Sequence, residues 1–264
     1  MRTCRRAGLP LALLLLLAAG PSAAGAQSRP AGAERRALLE YAFTHLDDGA
    51  EPWHLATLEL SRRSAAGTWL ARGSAARRFD RTGTQLEVEA YPRLSRRTYA
   101  FVGAGYSPDE LFPELRLGAE LFAAPAPGWE ASAGARWLDF RARDVTLLTG
   151  SVGAYPGNWY LAARPFLALG DDGGSLSGTL LARRYLRDAD EYLSLRLGGG
   201  EAPAEVFTAA ELERVGSARA ALEGKTRLAR GASLLASLGW EREELAADRE
   251  RRRVTVGVGV EARF

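Results

Sequence analysis

The clearest structural signal in the chain is RVTVGVGVEARF, residues 253–264, in which apolar and polar residues alternate to the last position. The apolar positions are Val254, Val256, Val258, Val260, Ala262 and Phe264. In a chain with 47% apolar residues, alternation over such a stretch arises by chance about 5 times in 10,000. Successive side chains of a β-strand point to opposite faces. The stretch therefore predicts a strand with one apolar and one polar face.

The same alternation recurs through the chain. It is clear around residues 85–90, 115–121, 129–137, 158–164 and 193–197. It is weaker at 38–46, 53–63, 68–79, 97–106, 144–155, 175–187, 213–223 and 227–241. Together these segments predict about fourteen strands of roughly ten residues, the length of a tilted membrane strand. A twelve-strand barrel is the alternative, and the outward phase of 97–106 and 144–155 stays undecided.

The predicted turns fit a barrel whose two termini lie on the same side. Turns on that side are expected to be short: Ser64–Gly67, Leu94–Arg97, Ala124–Pro127, Pro156–Gly157, Asp188–Asp190 and Gly224–Thr226. The longer connections fall on the other side: Ser107–Pro113, Gly170–Gly174, Gly199–Leu212 and Glu243–Glu250. Short periplasmic turns and longer extracellular loops are typical of outer-membrane barrels.

The N-terminal residues have the pattern of a secretory signal peptide. Three arginines precede the apolar run Leu9–Ala19, and Ala24–Ala26 supplies a small-residue site for cleavage after Ala26. The run is too short for an ordinary spanning helix, although an uncleaved anchor is the alternative. We expect residues 1–26 to be the signal, 27–36 a flexible lead, and 37–264 one barrel domain.

The charge balance argues against a nucleic-acid partner. The net charge of +3 comes from 35 basic and 32 acidic residues, and the signal contributes Arg2, Arg5 and Arg6. The remaining chain is therefore balanced and lacks the basic surplus that nucleic-acid binding needs. The single cysteine, Cys4, lies in the signal. With two histidines and no other cysteine, the sequence predicts no metal site and no cofactor.

The spacing of two tryptophans favours a membrane barrel over a secreted β-sandwich, the main alternative with the same alternation. Trp129 and Trp137 share the apolar face of one segment. They would lie about 27 Å apart along the strand, or about 20 Å in depth after tilting. That separation suits one tryptophan at each membrane interface. We therefore expect an outer-membrane location, contact with outer-membrane lipid, and assembly by the barrel insertion machinery.

Several longer blocks resemble a known family. They are RFDRTGTQLEVEAYPRL (78–94), TYAFVGAGYSPDELFPELRLGAELF (98–122), GWEASAGARWLDF (128–140), GNWYLAARPF (157–166), RRYLRDADEYL (183–193) and the terminal Arg263-Phe264. On these blocks the chain resembles the YaiO family of outer-membrane β-barrels. The resemblance implies an outer-membrane barrel but little about activity, because it supplies no catalytic residues to carry over.

The polar faces of the strands supply the candidate site. The residues predicted to line the lumen are Glu59, Glu87, Glu89, Arg116, Glu120, Glu130, Arg136, Arg164, Arg183 and Arg196. The residues predicted to close the barrel on the terminal strand are Val256, Val258, Val260 and Phe264. Enclosed charges must pair or stay hydrated. The lumen is thus expected either to be a wet pore for small or oligomeric anionic, saccharide-like solutes, or to be filled by Arg–Glu ladders in a structural or assembly barrel.

An enzymatic barrel is a third class, and the sequence argues against it. The two histidines, His45 and His54, flank the first predicted turn, and His54 shares the phase of outward apolar residues. No neighbouring serine has a spacing that suits a nucleophile. We therefore expect no enzymatic activity.

Overall fold

The computed structural model describes residues 34–78, 80–141, 144–170, 173–201, 214–245 and 249–264, and these residues form fourteen β-strands. The strands are β1 Glu34–Leu46, β2 Trp53–Ser64, β3 Gly67–Arg78, β4 Arg81–Pro92, β5 Thr98–Tyr106, β6 Leu115–Ala123, β7 Trp129–Asp139, β8 Asp144–Ala154, β9 Trp159–Gly170, β10 Gly173–Tyr185, β11 Tyr192–Gly200, β12 Arg214–Ala229, β13 Ala232–Leu245 and β14 Arg249–Arg263. The predicted strand number is confirmed, and the twelve-strand alternative is wrong. The signal peptide and its cleavage site lie outside the described residues. No helix in the described part of the chain is long and apolar enough to cross a membrane.

The sheet closes on itself. Each strand pairs antiparallel with its sequence neighbours, and β14 pairs with β1 from Arg36–Arg263 to Leu46–Arg253. The backbones of Arg35 and Phe264 add two hydrogen bonds of 3.2 and 3.1 Å beyond that ladder. An open edge in lipid would leave unpaired amides and carbonyls at a cost of several kcal/mol each. Closure removes that cost.

The outer surface is apolar and carries aromatic residues near both ends. Outward residues such as Leu86 and Val256 are more than half exposed. Trp69, Trp129, Trp159 and Phe264 face outward near the end that holds both termini, and Tyr106, Trp137 and Trp240 face outward near the other end. These two ends are the periplasmic and extracellular ends, respectively, since the termini of such barrels lie in the periplasm.

The structure resolves the two strands whose outward phase the sequence left open. In β5, Val102 faces lipid and Phe101 is buried inside the barrel. In β8, Val152 faces lipid, whereas Val145 and Leu147 point inward. The inward residues of β8 join a cluster near the extracellular end with Leu138, Phe140 and Ala168. Both faces of β8 therefore mix apolar and polar residues, which explains why its alternation was ambiguous.

Several predicted boundaries differ from the structure. The connection expected at Gly170–Gly174 is mostly strand, since Gly170 pairs with Gly173 and Leu169 with Gly174. The turn expected at Gly224–Thr226 is wrong, because those residues pair with β13 and the hairpin turns at Arg230-Gly231, where Gly231 has a φ of 78°. Positive φ suits glycine. The loop expected at Glu243–Glu250 is mostly strand, since pairing continues to Leu245–Arg249. Strand β1 begins at Glu34 rather than after residue 36, because Glu34 pairs in register with Arg63 on β2.

Candidate functional site in the barrel lumen

The charged residues singled out from the sequence all lie on the inward faces of their strands: Glu59, Glu87, Glu89, Arg116, Glu120, Glu130, Arg136, Arg164, Arg183 and Arg196. Val256, Val258 and Val260 face lipid beside the β1–β14 seam, and Phe264 is exposed at its periplasmic end. The alternation along each strand thus places one set of side chains against lipid and the other, charged set on the lumen wall.

A ladder of ion pairs runs along strands β2 to β6. Arg72 on β3 lies 2.7 Å from Glu59 on β2 and 3.5 Å from Glu87 on β4. Arg116 on β6 reaches past β5 to lie 3.1 Å from the other oxygen of Glu87. Gly105 on β5 stands in register between them, and a Cβ there would lie 3.0 Å from Cγ of Glu87. The absence of a side chain at Gly105 therefore leaves the space in which this pair meets.

A second ion pair spans three strands. Arg164 on β9 donates from Nη1 to both carboxylate oxygens of Glu120 on β6, at 2.8 and 2.9 Å. It also lies 3.3 Å from the hydroxyl of Thr149, and the Ser132 hydroxyl donates to Glu120. Gly134 on β7 lies beside the pair, and a Cβ there would approach Cβ of Glu120 to 2.5 Å. Glu120 is nearly buried, so these partners offset its desolvation.

Glu130 is held by tyrosines rather than by an arginine in any described ion pair. Tyr99 and Tyr160 donate to its two carboxylate oxygens at 3.0 and 3.4 Å. The Tyr99 ring in turn stacks on Phe122 with centroids 4.5 Å apart. This region of β5 to β9 therefore places aromatic rings and one carboxylate along the wall near the periplasmic end.

Arg183 forms a comparable group on β10, three strands from Glu130. Its Nε donates to the Ser194 hydroxyl at 2.7 Å, and its Nη2 lies 3.5 Å from Glu223. The guanidinium lies 3.9 Å from the centre of the Tyr192 ring, whose hydroxyl donates to Glu223 at 2.7 Å. Stacking and hydrogen bonding together fix the direction of this cation.

Arg136 and Arg196 have different surroundings. Arg136 lies 5.8 Å from the Phe101 ring centre, and that ring packs over Gly118, where a Cβ would be 3.0 Å away. Arg196 lines a cavity in the lumen. The ion pairs of Arg72, Arg116, Arg164 and Arg183 join strands at most three places apart, whereas opposite walls are seven strands apart. These four arginines therefore run along the wall and do not cross the lumen.

The inward charges are distributed unevenly around the barrel. At mid-height, strands β1 to β4 carry Glu40, Glu59, Glu87 and Glu89 with Arg72, which we call the acidic wall. Strands β9 to β12 carry Arg164, Arg183, Arg196 and Arg219 with Glu223, which we call the cationic wall. In a ring of fourteen strands β3 lies opposite β10 and β4 opposite β11. This charge distribution favours an electric field that points across the lumen from the cationic wall to the acidic wall.

The cavity beside the cationic wall has a volume of about 370 Å³ and lies against β10 to β14. Its polar lining consists of Arg196, Arg219 and Arg253, the carboxylates Glu223 and Glu241, and the hydroxyls of Ser194, Ser237 and Thr255. Guanidinium groups bind carboxylates and phosphates, while hydroxyls and carboxylates hydrogen-bond to sugar-like hydroxyl groups. The cavity lining therefore combines guanidinium, carboxylate and hydroxyl groups.

The extracellular end of the lumen is narrowed by the connection between β5 and β6. Leu111 and Phe112 of this connection are buried against the inward residue Ala76 of β3. The carboxylate of Asp109 accepts a 2.8 Å hydrogen bond from the backbone N–H of Thr84 on β4. These contacts draw the loop over the β2–β4 side of the opening.

The periplasmic end is narrowed by the turn between β10 and β11. Asp190 of this turn lies 3.1 Å from Arg36 on β1 and 2.7 Å from Arg263 on β14. The backbone N–H of Asp190 and the nearby Arg227 guanidinium hold the pKa of the Asp188 carboxyl below its usual value. The turn therefore folds inward past β12 and β13.

A sequence profile of the YaiO membrane beta barrel domain matches residues 34–205. The chain belongs to the YaiO membrane β-barrel family. The match begins at Glu34, the first residue of β1, and continues past β11. Family and fold together identify this YaiO-family barrel as a protein of the bacterial outer membrane.

Several solved structures align with the chain at low sequence identity. A bacterial polysaccharide outer membrane secretin aligns with a TM-score of 0.53 and 10% identity, over 88% of this chain and 98% of the other. An anion-selective porin from Comamonas acidovorans aligns at 0.49 with 10% identity, over 88% and 99%. The KdgM porin aligns at 0.46 with 10% identity, over 86% and 99%. No curated protein matches the chain.

Both histidines of the YaiO-family barrel face outward. The hydroxyl of Tyr41 and Nδ1 of His54 are 2.7 Å apart on the exposed surface, and the Phe43 ring centre lies 5.5 Å from the His54 ring. His45 shares the outward phase of β1, opposite Val254. The described residues contain no group of three His, Cys, Asp or Glu side chains that could hold a metal ion.

Sequence reasoning missed most of the cavity lining, including Arg219, Ser237, Glu241, Arg253 and Thr255. Because the turn was predicted at Gly224–Thr226, the inward and outward positions of β12 and β13 were not identified. The signal was present in β14, whose odd-numbered positions face inward and include Arg253 and Thr255. Pairing from this strand to β13 and β12 carries the inward phase to Glu241 and Arg219.

Proposed function

We propose that the protein is an outer-membrane channel with a narrow, hydrated lumen that admits small or oligomeric anionic solutes of saccharide-like chemistry. The observation that carries the proposal is the cationic wall with its adjoining cavity. The side chains of Arg164 and Arg183 remain about a quarter exposed despite their ion pairs. Charges that retain this much solvent contact along a wall can still attract a passing anion.

The arrangement suggests a path for such a solute. An anion in the cross-lumen field moves toward the cationic wall, where Arg196 and Arg219 present guanidinium groups. Hydroxyls of Ser194, Ser237 and Thr255 are placed to meet the neutral parts of the solute. The two narrowed ends limit the size of what passes. The proposal includes no enzymatic step, and both histidines face outward, away from the lumen.

Ion selectivity in planar bilayers tests the proposal. The purified barrel should conduct and prefer chloride to potassium in a salt gradient. Arg196→Glu combined with Arg219→Glu should shift the permeability ratio toward the cation about tenfold, since charges lining a narrow pore set its selectivity. The matched control is Arg184→Glu, because Arg184 is exposed on the outward face. Selectivity that is the same in wild type and in the double variant would contradict the proposal.

A closed structural barrel is the second candidate, favoured by the apolar cluster of β7–β9 and by the inward loop at the extracellular end. Shortening that loop between Ser107 and Glu114 distinguishes the candidates. A channel should then conduct more than wild type. If wild type and the shortened variant both match a bare bilayer while remaining folded, the structural candidate is supported.

A further inference from the structure

Two arginines on the lipid-facing surface have no counter-charge among the residues that the structure describes. Arg35 on β1 and Arg62 on β2 are Cα partners in register, and both are exposed on the outward face at the periplasmic end. Neither forms an ion pair within the part of the chain that the structure describes. The terminal residue Phe264 accepts a hydrogen bond from the backbone N–H of Arg35. Like charges directly opposite each other destabilise a sheet. An anion bound between the two guanidiniums would offset that repulsion.

The surrounding rim is also cationic. The periplasmic turn between β4 and β5 carries Arg93, Arg96 and Arg97, all exposed. Residues 60–79 and 90–108, which contain the β2–β3 and β4–β5 turns, include no aspartate or glutamate. The β10–β11 turn at the same end instead carries Asp188, Asp190 and Glu191. Positive charge is therefore concentrated on the β1–β5 side of the periplasmic rim.

An apolar groove begins beside these arginines. It has a volume of about 990 Å³, and its lining includes Arg35, Arg62, Trp69 and Phe264 at the periplasmic end and Trp137 toward the extracellular end. Its floor is formed by small outward residues: Ala71, Ala90, Ala104, Ala119 and Ala135. Ala90 is only 4% exposed although it faces outward. The wall is thus indented along much of the membrane thickness.

We propose that this groove binds an anionic phospholipid of the periplasmic leaflet, with its phosphate between Arg35 and Arg62 and an acyl chain along the alanine floor. Guanidinium groups bind phosphate oxygens through charge-assisted hydrogen bonds. The arginines lie at the level of the lipid headgroups, and the groove continues from them into the apolar depth. This continuity of charge and apolar surface favours a lipid over a free anion.

Lipid retention by the full-length folded barrel tests the inference. The purified protein in detergent would be mixed with equal amounts of phosphatidylglycerol and phosphatidylcholine, and bound lipid would be counted by native mass spectrometry. Wild type should retain phosphatidylglycerol preferentially. Arg35→Gln with Arg62→Gln should lower that retention about 30-fold, since each arginine near an anionic lipid surface contributes about a factor of five.

Two further variants make the result specific. Arg184→Gln with Arg187→Gln removes the same charge from the other side of the periplasmic rim and should leave retention unchanged. Ala104→Leu with Ala119→Leu fills the groove but keeps Arg35 and Arg62, and should also lower retention. Full retention in the groove variant would overturn the acyl-chain site. Unchanged retention in the Arg35/Arg62 variant would overturn the headgroup site, and dimerisation through the groove without lipid would identify a second copy as the occupant.

Discussion

At the scale of single residues, glycines determine which charges in the lumen meet. Gly105 stands between Glu87 and Arg116, and the pair forms across a strand that contributes no side chain at that level. Gly134 is the register partner of Glu120 on the side that faces Arg164, and Thr149 on β8 is the next residue in that row. A long arginine side chain reaches its partner because a glycine leaves the path open.

Gly105→Leu should break the Glu87–Arg116 ion pair, because the new side chain would occupy the space between them. We expect the free energy of unfolding to fall by about 1.5–3 kcal/mol, the range for losing a hydrogen bond to a charged partner. Urea-induced unfolding in phospholipid vesicles measures this. The matched control is Gly73→Leu on β3, where a Cβ meets nothing within 4 Å. Equal midpoints for the two variants would contradict the role given to Gly105.

At the scale of elements, the terminal strand β14 contributes to barrel closure, to the lipid-facing surface and to the lumen wall. It pairs with β13 and with β1, so it both extends the sheet and closes it. Its outward residues Val256, Val258 and Val260 are about half exposed and meet lipid. Its inward residues include Arg253 and Thr255 in the cavity lining. One strand thus serves closure, lipid contact and the candidate site.

Val260→Asp combined with Phe264→Asp should strongly lower the amount of barrel in the outer membrane. A charge on the lipid face costs about 2–4 kcal/mol near the bilayer midplane and less near the interface. Quantitative immunoblotting of outer-membrane fractions measures the effect. Thr255→Asp on the same strand faces the lumen and should leave the level near that of wild type. Undiminished levels in the double variant would count against this account of assembly.

At the scale of the whole molecule, closure converts fourteen short strands into one cooperative unit. Every strand has two hydrogen-bonded neighbours, so no described strand is an edge. The acidic and cationic walls are each built from strands that are neighbours in the chain. Their opposition across the lumen, in contrast, exists only because the ring closes. The cross-lumen field is therefore a property of the barrel and of no single strand.

The closed barrel should resist unfolding by SDS at low temperature. Without boiling it should migrate differently on a gel from the boiled, unfolded chain, because a ring without free edges opens only through cooperative loss of many hydrogen bonds. Gel migration of paired cold and boiled samples from the membrane fraction measures this. Recovery of the protein in soluble form, with no heat-dependent shift, would refute a membrane barrel.

The amino-acid sequence by itself determined the barrel class and the inward or outward phase of the clearest strands. It could do so because lipid on one side and water on the other impose a period of two on residues such as those of β6, β7 and β14. It did not determine the phase of β8, because the inward Val145 and Leu147 pack against Leu138 and Phe140 and both faces of the strand carry apolar residues. The β12–β13 turn was predicted at Gly224–Thr226, next to a glycine, whereas strand pairing places it at Gly231.

Only the tertiary structure decided which partner each lumen charge takes. Arg164 pairs with Glu120 and Arg116 with Glu87 because register and barrel tilt bring side chains two or three strands apart to the same level. The cavity with Arg196 and Arg219 and the outward Arg35–Arg62 pair likewise depend on register between strands. Alternation along one strand reports which face a residue occupies, whereas contacts between strands depend on pairing that a local pattern does not encode.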